Sequence, residues 1–168
     1  QFILCKRVGE VLLIDNYVAR LTITAFSEPL AGADWAETSE GPAVVCCTVG
    51  GRVIVVSYPK DEDDAVVVNV SSASFKPLFE LTVEKPVERI CVSGVSRNLM
   101  ALGGQSNRLR VWDLKERKRF FDSRNPPDNW LLLATPVWVS AMTFSSKDAN
   151  VIAVVTRYKD LQLYDISR

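Results

Sequence analysis

Histidine is absent from all 168 residues, and with it go the Ser-His-Asp and Cys-His arrangements of nucleophilic hydrolases and every His-ligated metal centre within this segment. Net charge is absent too. Twenty Lys and Arg offset 20 Asp and Glu, so the chain as a whole exerts no long-range pull on nucleic acid or membrane. Long apolar runs are missing: the longest, at 44–49 and 151–155, fall far short of the roughly 18 residues that would cross a bilayer. No phosphate-cradling G-x-x-x-x-G-K-[ST] loop and no G-x-G-x-x-G turn occurs, so nucleotide and dinucleotide chemistry have no support. The four cysteines, Cys5, Cys46, Cys47 and Cys91, show no C-x-x-C spacing. Neighbours on a strand point to opposite faces, so Cys46 and Cys47 cannot share a metal, and buried free thiols are expected. The acidic run Asp61, Glu62, Asp63 and Asp64 lacks calcium-loop spacing and reads as a solvated loop. No catalysis, cofactor, metal, membrane or small-molecule substrate is therefore expected. Gln1 stands first and residues 2–5 already read as a strand, so the native start is expected elsewhere.

What is present is valine in short β-branched runs, punctuated by Gly and Pro, with little helical period; 48% of the residues are hydrophobic, enough for a core. This argues for an all-β fold. One unit recurs four times: an apolar strand, a tight polar or Gly-bearing turn, and a second apolar strand that ends on a bulky residue and usually Asp. The copies lie near 2–15, 43–57, 99–113 and 151–165, with Asp15, Ser57, Asp113 and Asp165 in the closing place. Flanking strands are expected at 18–26, 78–83, 87–93 and 137–144, which makes about four strands per unit. Strands such as 44–48 and 53–56 are apolar on both faces, as they must be if each sheet is sandwiched between two others. The spacing exceeds one compact unit, and the excess is assigned to insertions at 58–76 and 115–136. A two-sheet sandwich is the structural alternative, and it calls for a more even polar and apolar alternation.

The strand Leu109-Arg110-Val111-Trp112-Asp113, with its counterpart Leu161 to Asp165, resembles the strand that gives the WD-repeat family its name. The resemblance implies a WD-repeat-type β-propeller. Residues 1–168 would then form an incomplete one, about four blades' worth of a seven-bladed ring. The family's polar tetrad of His, Ser or Thr, Asp and Trp is lacking: Ser106 and Tyr158 stand in the turn-Asp places, and only Thr48 and Thr156 match the hydroxyl place. Packing must hold these blades, with Trp112 and Tyr164 wedged between sheets. A narrower resemblance runs from Gly103 to Arg168, through Gly103-Gly104, Val111-Trp112-Asp113, the insertion Arg124 to Leu131, Pro136-Val137-Trp138 and Thr156-Arg157-Tyr158. In that order and spacing the chain is similar to the nucleolar WD-repeat assembly factors of the large ribosomal subunit precursor. It departs from them at Asn129, where Asp is usual, and at Arg157, where Gly is usual.

Between Gln105 and Arg124 seven Lys and Arg face three Asp and Glu. Such a segment can meet phosphates through counterion release, and Phe120, Phe121 and Trp130 offer stacking faces beside it. The ordinary alternative is an exposed basic turn. The resemblance implies a scaffold in ribosome biogenesis, in the nucleolus and nucleus, docked on the pre-60S particle through ribosomal RNA and nucleolar assembly factors and later released by an AAA-type remodelling ATPase. Candidate contact residues are Lys115, Arg117, Lys118, Arg119, Arg124, Asn125, Asp128 and Trp130, followed by Arg157, Tyr158 and Lys159. The rival from another class is a WD-repeat adapter that joins proteins without RNA, such as a ubiquitin-ligase substrate receptor or a trafficking coat. A hydrolase would need His or metal ligands in further blades.

Overall fold

In the computed structural model, residues 2–6, 10–15, 18–24, 26–58, 66–70, 72, 75–127 and 130–167 are described. Among them there is no helix. Strands β1 (Phe2–Lys6), β2 (Glu10–Asp15) and β3 (Val18–Thr24) form the first sheet, which β7 (Val66–Asn69) extends in parallel along β3. The second sheet is β4 (Leu30–Thr38), β5 (Gly41–Thr48), β6 (Arg52–Ser57) and β8 (Phe79–Thr82), in that order. The third is β9 (Arg89–Val92), β10 (Leu99–Gly104), β11 (Asn107–Asp113) and β12 (Lys118–Asp122), and the fourth is β13 (Val139–Phe144), β14 (Val151–Thr156) and β15 (Leu161–Asp165). Pairing within the last three sheets is antiparallel throughout, with Ala43 opposite Ser57, Leu99 opposite Asp113 and Val151 opposite Asp165.

The strands stack because their side chains alternate. On β5, Val44 and Cys46 join a core with Val11, Leu21 and Ile23 of the first sheet. Their neighbours Ala43, Val45 and Cys47 point the other way, into a core with Met100 and Leu102 of the third. Leu99, Ala101, Leu109 and Val111 then meet Val139, Phe144, Ile152 and Val154 of the fourth sheet in another core. Every residue from 43 to 48 is buried, a pattern only a sheet covered on both faces can show. Successive sheets also meet edge to edge, β1 beside β4, β4 beside β9 and β9 beside β13, which makes these strands an inner layer. The sheets do not close into a ring. Leu161 and Leu163 lie exposed on the far face of the fourth sheet.

Several features depart from the sequence expectation. Lys118–Asp122, within the stretch assigned to an insertion, is a strand paired to β11. Leu30–Thr38 is the innermost strand of the second sheet, where the sequence pattern predicts no strand. In the first sheet the hairpin of β1 and β2 begins at the inner edge, whereas the hairpins of the second and third sheets stand one strand further out. Trp112 packs against the core between the second and third sheets, and Tyr164 against that between the third and fourth. The acidic run Asp61 to Asp64 and the turn at 7–9 lie outside the described residues.

Candidate functional site

Strand register sorts the candidate residues between two rims of the stack. Lys118 stands opposite Asp113 and Leu99, so the turn 114–117 shares a rim with the turns 93–98 and 39–40. Hydrogen bonds tie them: the Leu114 amide donates to the Asn98 carbonyl at 2.8 Å, and the Glu37 amide to the Arg97 carbonyl at 2.7 Å. Lys115, Arg117 and Lys118 therefore sit on this first rim. The opposite rim gathers the turns 49–51, 105–106 and 157–160 with the chain that leaves β12. Arg124, Asn125, Trp130, Arg157, Tyr158 and Lys159 lie there, joined by the bonds from Arg108 Nη1 to Asn125 Oδ1 at 3.2 Å and from the Arg157 amide to the Trp138 carbonyl at 2.9 Å. Arg119 faces sideways from β12, between the rims, and Asp128 lies outside the described residues. A strand advances about 3.3 Å per residue, so roughly 15 Å separates the two groups and they do not form one patch.

The basic segment is largely compensated from within the fold. Arg117 pairs with Glu40 at 2.7 Å and lies 4.6 Å over the Phe79 ring; Lys118 pairs with Glu116 at 3.3 Å. Arg119 meets Glu84 at 2.9 Å and Asp122 at 3.4 Å. Arg108 clasps Asp122 at 2.7 Å, and Arg110 reaches both Glu84 and Asp122 at 3.5 Å. The hydrogen bond from Arg108 holds the Asp122 carboxyl below its ordinary range, and the charges of Arg108, Arg110 and Arg119 act the same way against the effect of burial. Glu40 comes from the turn between β4 and β5 and Glu84 from the loop after β8, both distant in sequence, so sequence alone cannot foretell this neutralisation. Among the described residues, the side chains of Lys115 and Arg124 have no ion pair.

The second rim carries an apolar projection. The Thr135 hydroxyl donates to the Pro127 carbonyl at 2.7 Å and closes a loop that carries residues 130–134. At its tip Trp130 is 88% and Leu132 84% exposed, the latter with a positive φ of 60°. Tyr158 is also exposed on this rim, and Arg157 lies 4.6 Å over the Trp138 ring, whose indole N–H donates to Glu88 at 2.8 Å. Thr156 fixes this turn by accepting hydrogen bonds from the Tyr158 and Asp160 amides, both at 3.3 Å, as Thr48 fixes its own turn through the Arg52 amide at 3.1 Å. These two hydroxyls are what survives here of the repeat's polar network.

The first rim holds a feature that sequence reading missed. An open cleft of about 640 Å³ lies at the ends of the second and third sheets, lined among others by Arg97 and by Trp35 and Tyr58, which pack against the core shared with the first sheet. Its members are 23 and 39 residues apart in sequence, and only the sheet pairing assembles them. No group of three or more His, Cys, Asp or Glu suited to a metal occurs among the described residues. Cys46 and Cys47, neighbours on β5, enter different cores.

No family model matches the chain. Human WD repeat-containing protein 74 is 27% identical over 128 residues, which cover 76% of this chain and 30% of that protein. Its mouse counterpart is 31% identical over 98 residues, covering 58% of this chain and 25% of the relative. The ribosome biogenesis protein NSA1 of Meyerozyma guilliermondii is 25% identical over 140 residues, covering 76% of this chain and 32% of that protein. The chain thus spans about a third or less of the curated relatives it matches. In structure it superposes on the C-terminal WD40 domain of Sif2 with a TM-score of 0.62 at 11% identity, covering 98% of this chain and 40% of that one. The fold is accordingly an incomplete WD-repeat-type β-propeller.

Proposed function

From a propeller segment similar to WD repeat-containing protein 74 and to NSA1, we propose that this chain belongs to a non-enzymatic scaffold of ribosome biogenesis. It docks on the large-subunit precursor in the nucleolus through ribosomal RNA and assembly factors, and an AAA-type ATPase later removes it. The observation that carries this reading is the second rim, where Trp130 and Leu132 are exposed and which also holds Arg124, Tyr158 and Lys159. An exposed Trp on the same rim as cations that have no ion pair among the described residues supplies both an apolar anchor for an assembly factor and charge for RNA phosphates. Cations already matched to Glu40, Glu84 and Asp122 contribute less, because a phosphate must displace a carboxylate to reach them.

The test is co-sedimentation of the chain with pre-60S particles across a salt series. Arg124→Ala with Lys159→Ala is expected to weaken association and to reduce the slope of log affinity against log salt by about 0.7 to 0.9 for each phosphate no longer neutralised. Trp130→Ala is expected to weaken association without changing that slope. Unchanged co-sedimentation in both variants would remove the second rim from the mechanism. The ion pairing of Arg117, Lys118 and Arg119 favours a second reading, an adapter that binds protein alone. In that case Trp130→Ala abolishes binding and the cation variants leave the salt slope where it was.

A further inference from the structure

At the inner edge of the second rim, side chains tie the start of β9 to the start of β13. The Glu88 carboxylate accepts the Trp138 indole N–H at 2.8 Å, and Arg89 Nε donates to the Ser140 carbonyl at 3.0 Å. Arg89 Nη1 is held as well, by the Glu88 carbonyl at 2.8 Å. Over the indole fixed in this way lies the Arg157 guanidinium, 4.6 Å from the ring centroid. Its backbone is anchored too, because the Arg157 amide donates to the Trp138 carbonyl and the Lys159 amide to the Thr156 carbonyl at 3.2 Å. Arg157 is exposed, and its guanidinium donates to no group among the described residues.

The charges around this stack are unequal. Lys85, Arg89, Arg124, Arg157 and Lys159 stand on the second rim with no ion pair among the described residues. Fewer acids are left to oppose them. Glu28 accepts the Thr48 hydroxyl at 2.9 Å, Glu88 is engaged by Trp138, and Asp160 closes the turn that carries Arg157. Glu80 is matched to Arg52, and Glu84 to Arg110 and Arg119. The five cations come from four separate segments: the crossing before β9, β9 itself, the chain leaving β12 and the turn after β14. Charges spread along a rim suit a polymer with one anion per unit better than a single small anion.

A guanidinium backed by an indole offers its outer face to another planar group, and a nucleobase is such a group with a phosphate on either side. In a base-paired A-form helix each base face is covered by its neighbours, so only an unpaired nucleotide can lie on Arg157. We propose that the inner second rim binds single-stranded RNA, one unpaired base stacking on the Arg157 guanidinium over Trp138 and the flanking phosphates meeting Arg89 and Lys159. This rests on the second rim facing RNA, and adds which form of RNA it takes and which side chain distinguishes that form. Lysine cannot replace Arg157 in the role, because an ammonium keeps the charge and lacks the plane.

Fluorescence polarisation of fluorescein-labelled decaadenylate against the chain, beside a blunt ten-base-pair RNA duplex, tests it. The single strand is expected to bind more tightly than the duplex, although the duplex carries more charge. Arg157→Lys is expected to weaken the single strand roughly fivefold or more and to leave the slope of log affinity against log salt unchanged. Arg89→Gln is expected to lower that slope by about 0.7. Full affinity in Arg157→Lys overturns the proposal, and a lowered melting temperature with it would make the stack a joint between sheets. So does a lack of binding, a duplex bound as tightly as the single strand, or equal displacement by polyglutamate, which would assign the rim to acidic protein. Co-sedimentation with pre-60S particles separates this from the scaffold role. A chain that co-sediments but ignores decaadenylate overturns the single-strand proposal alone, whereas one that binds decaadenylate without co-sedimenting supports it and overturns the scaffold.

Discussion

At the scale of single residues, burial and close approach decide what can change. Cys47 is fully buried between the second and third sheets, and loss of hydration pushes its thiol from 9.0 up to about 12. The folded state therefore keeps a proton that the unfolded chain releases above pH 9. Stability from this group is complete below that pH and is lost as pH rises toward 12, at about 1.4 kcal/mol per pH unit. Denaturant unfolding between pH 9 and 12 should show a shallower alkaline decline for Cys47→Ala than for the wild-type chain, whatever the variant's stability at neutral pH. Gly104 presents a steric limit instead. A Cβ there would stand 2.5 Å from the Pro86 carbonyl oxygen and 3.0 Å from the Glu88 nitrogen, both backbone atoms that cannot swing aside. Gly104→Ala should lower thermal stability by about 1 to 3 kcal/mol, read from its unfolding midpoint. Gly103-Gly104 is visible in the sequence as a turn signal, but the segment 84–88 that crosses it is not.

At the scale of elements, β12 shows how a polar strand is kept in a sheet. Residues 118–120 are exposed and carry two cations, so apolar burial contributes little to holding them. The ladder to β11 is supplemented by Asp122, which Arg108 contacts at 2.7 Å and Arg110 at 3.5 Å. Asp122→Asn should speed amide exchange across 118–122 relative to β10, with a global cost of no more than about 1 kcal/mol because these pairs are partly exposed. Since Asp122 titrates below the ordinary range, its contribution is present at neutral pH and fades as pH falls through that lowered value. The sequence reads 115–119 as a basic loop because Lys, Arg and Glu carry no strand signal; pairing with an already formed β11 overrides that weak preference.

At the scale of the whole molecule, each sheet has two faces to cover. The fourth sheet buries one against Leu109 and Val111 and leaves Val155, Leu161 and Leu163 exposed on the other, at 40%, 68% and 71%. This apolar surface should bind the dye 1-anilinonaphthalene-8-sulfonate while the chain is folded. Leu161→Lys with Leu163→Lys should reduce the dye's fluorescence without lowering the melting temperature, because neither side chain packs in the core. An unchanged dye signal would place the binding elsewhere, with the Trp130 loop as the obvious second location.

The all-β class, the propeller type and the lack of histidine-based chemistry could be read from the sequence, because strand alternation, turn residues and composition are local properties that hold in any environment. Which cations stay unpaired was decided only by the tertiary structure. Glu40, Glu84 and Asp122 come from three separate parts of the chain, and a Coulomb interaction depends on distance through space rather than along the chain. For the same reason one basic run divides between two rims, and residues 35, 58 and 97 meet in a cleft: a strand carries successive residues from one rim to the other, while pairing sets residues remote in sequence side by side.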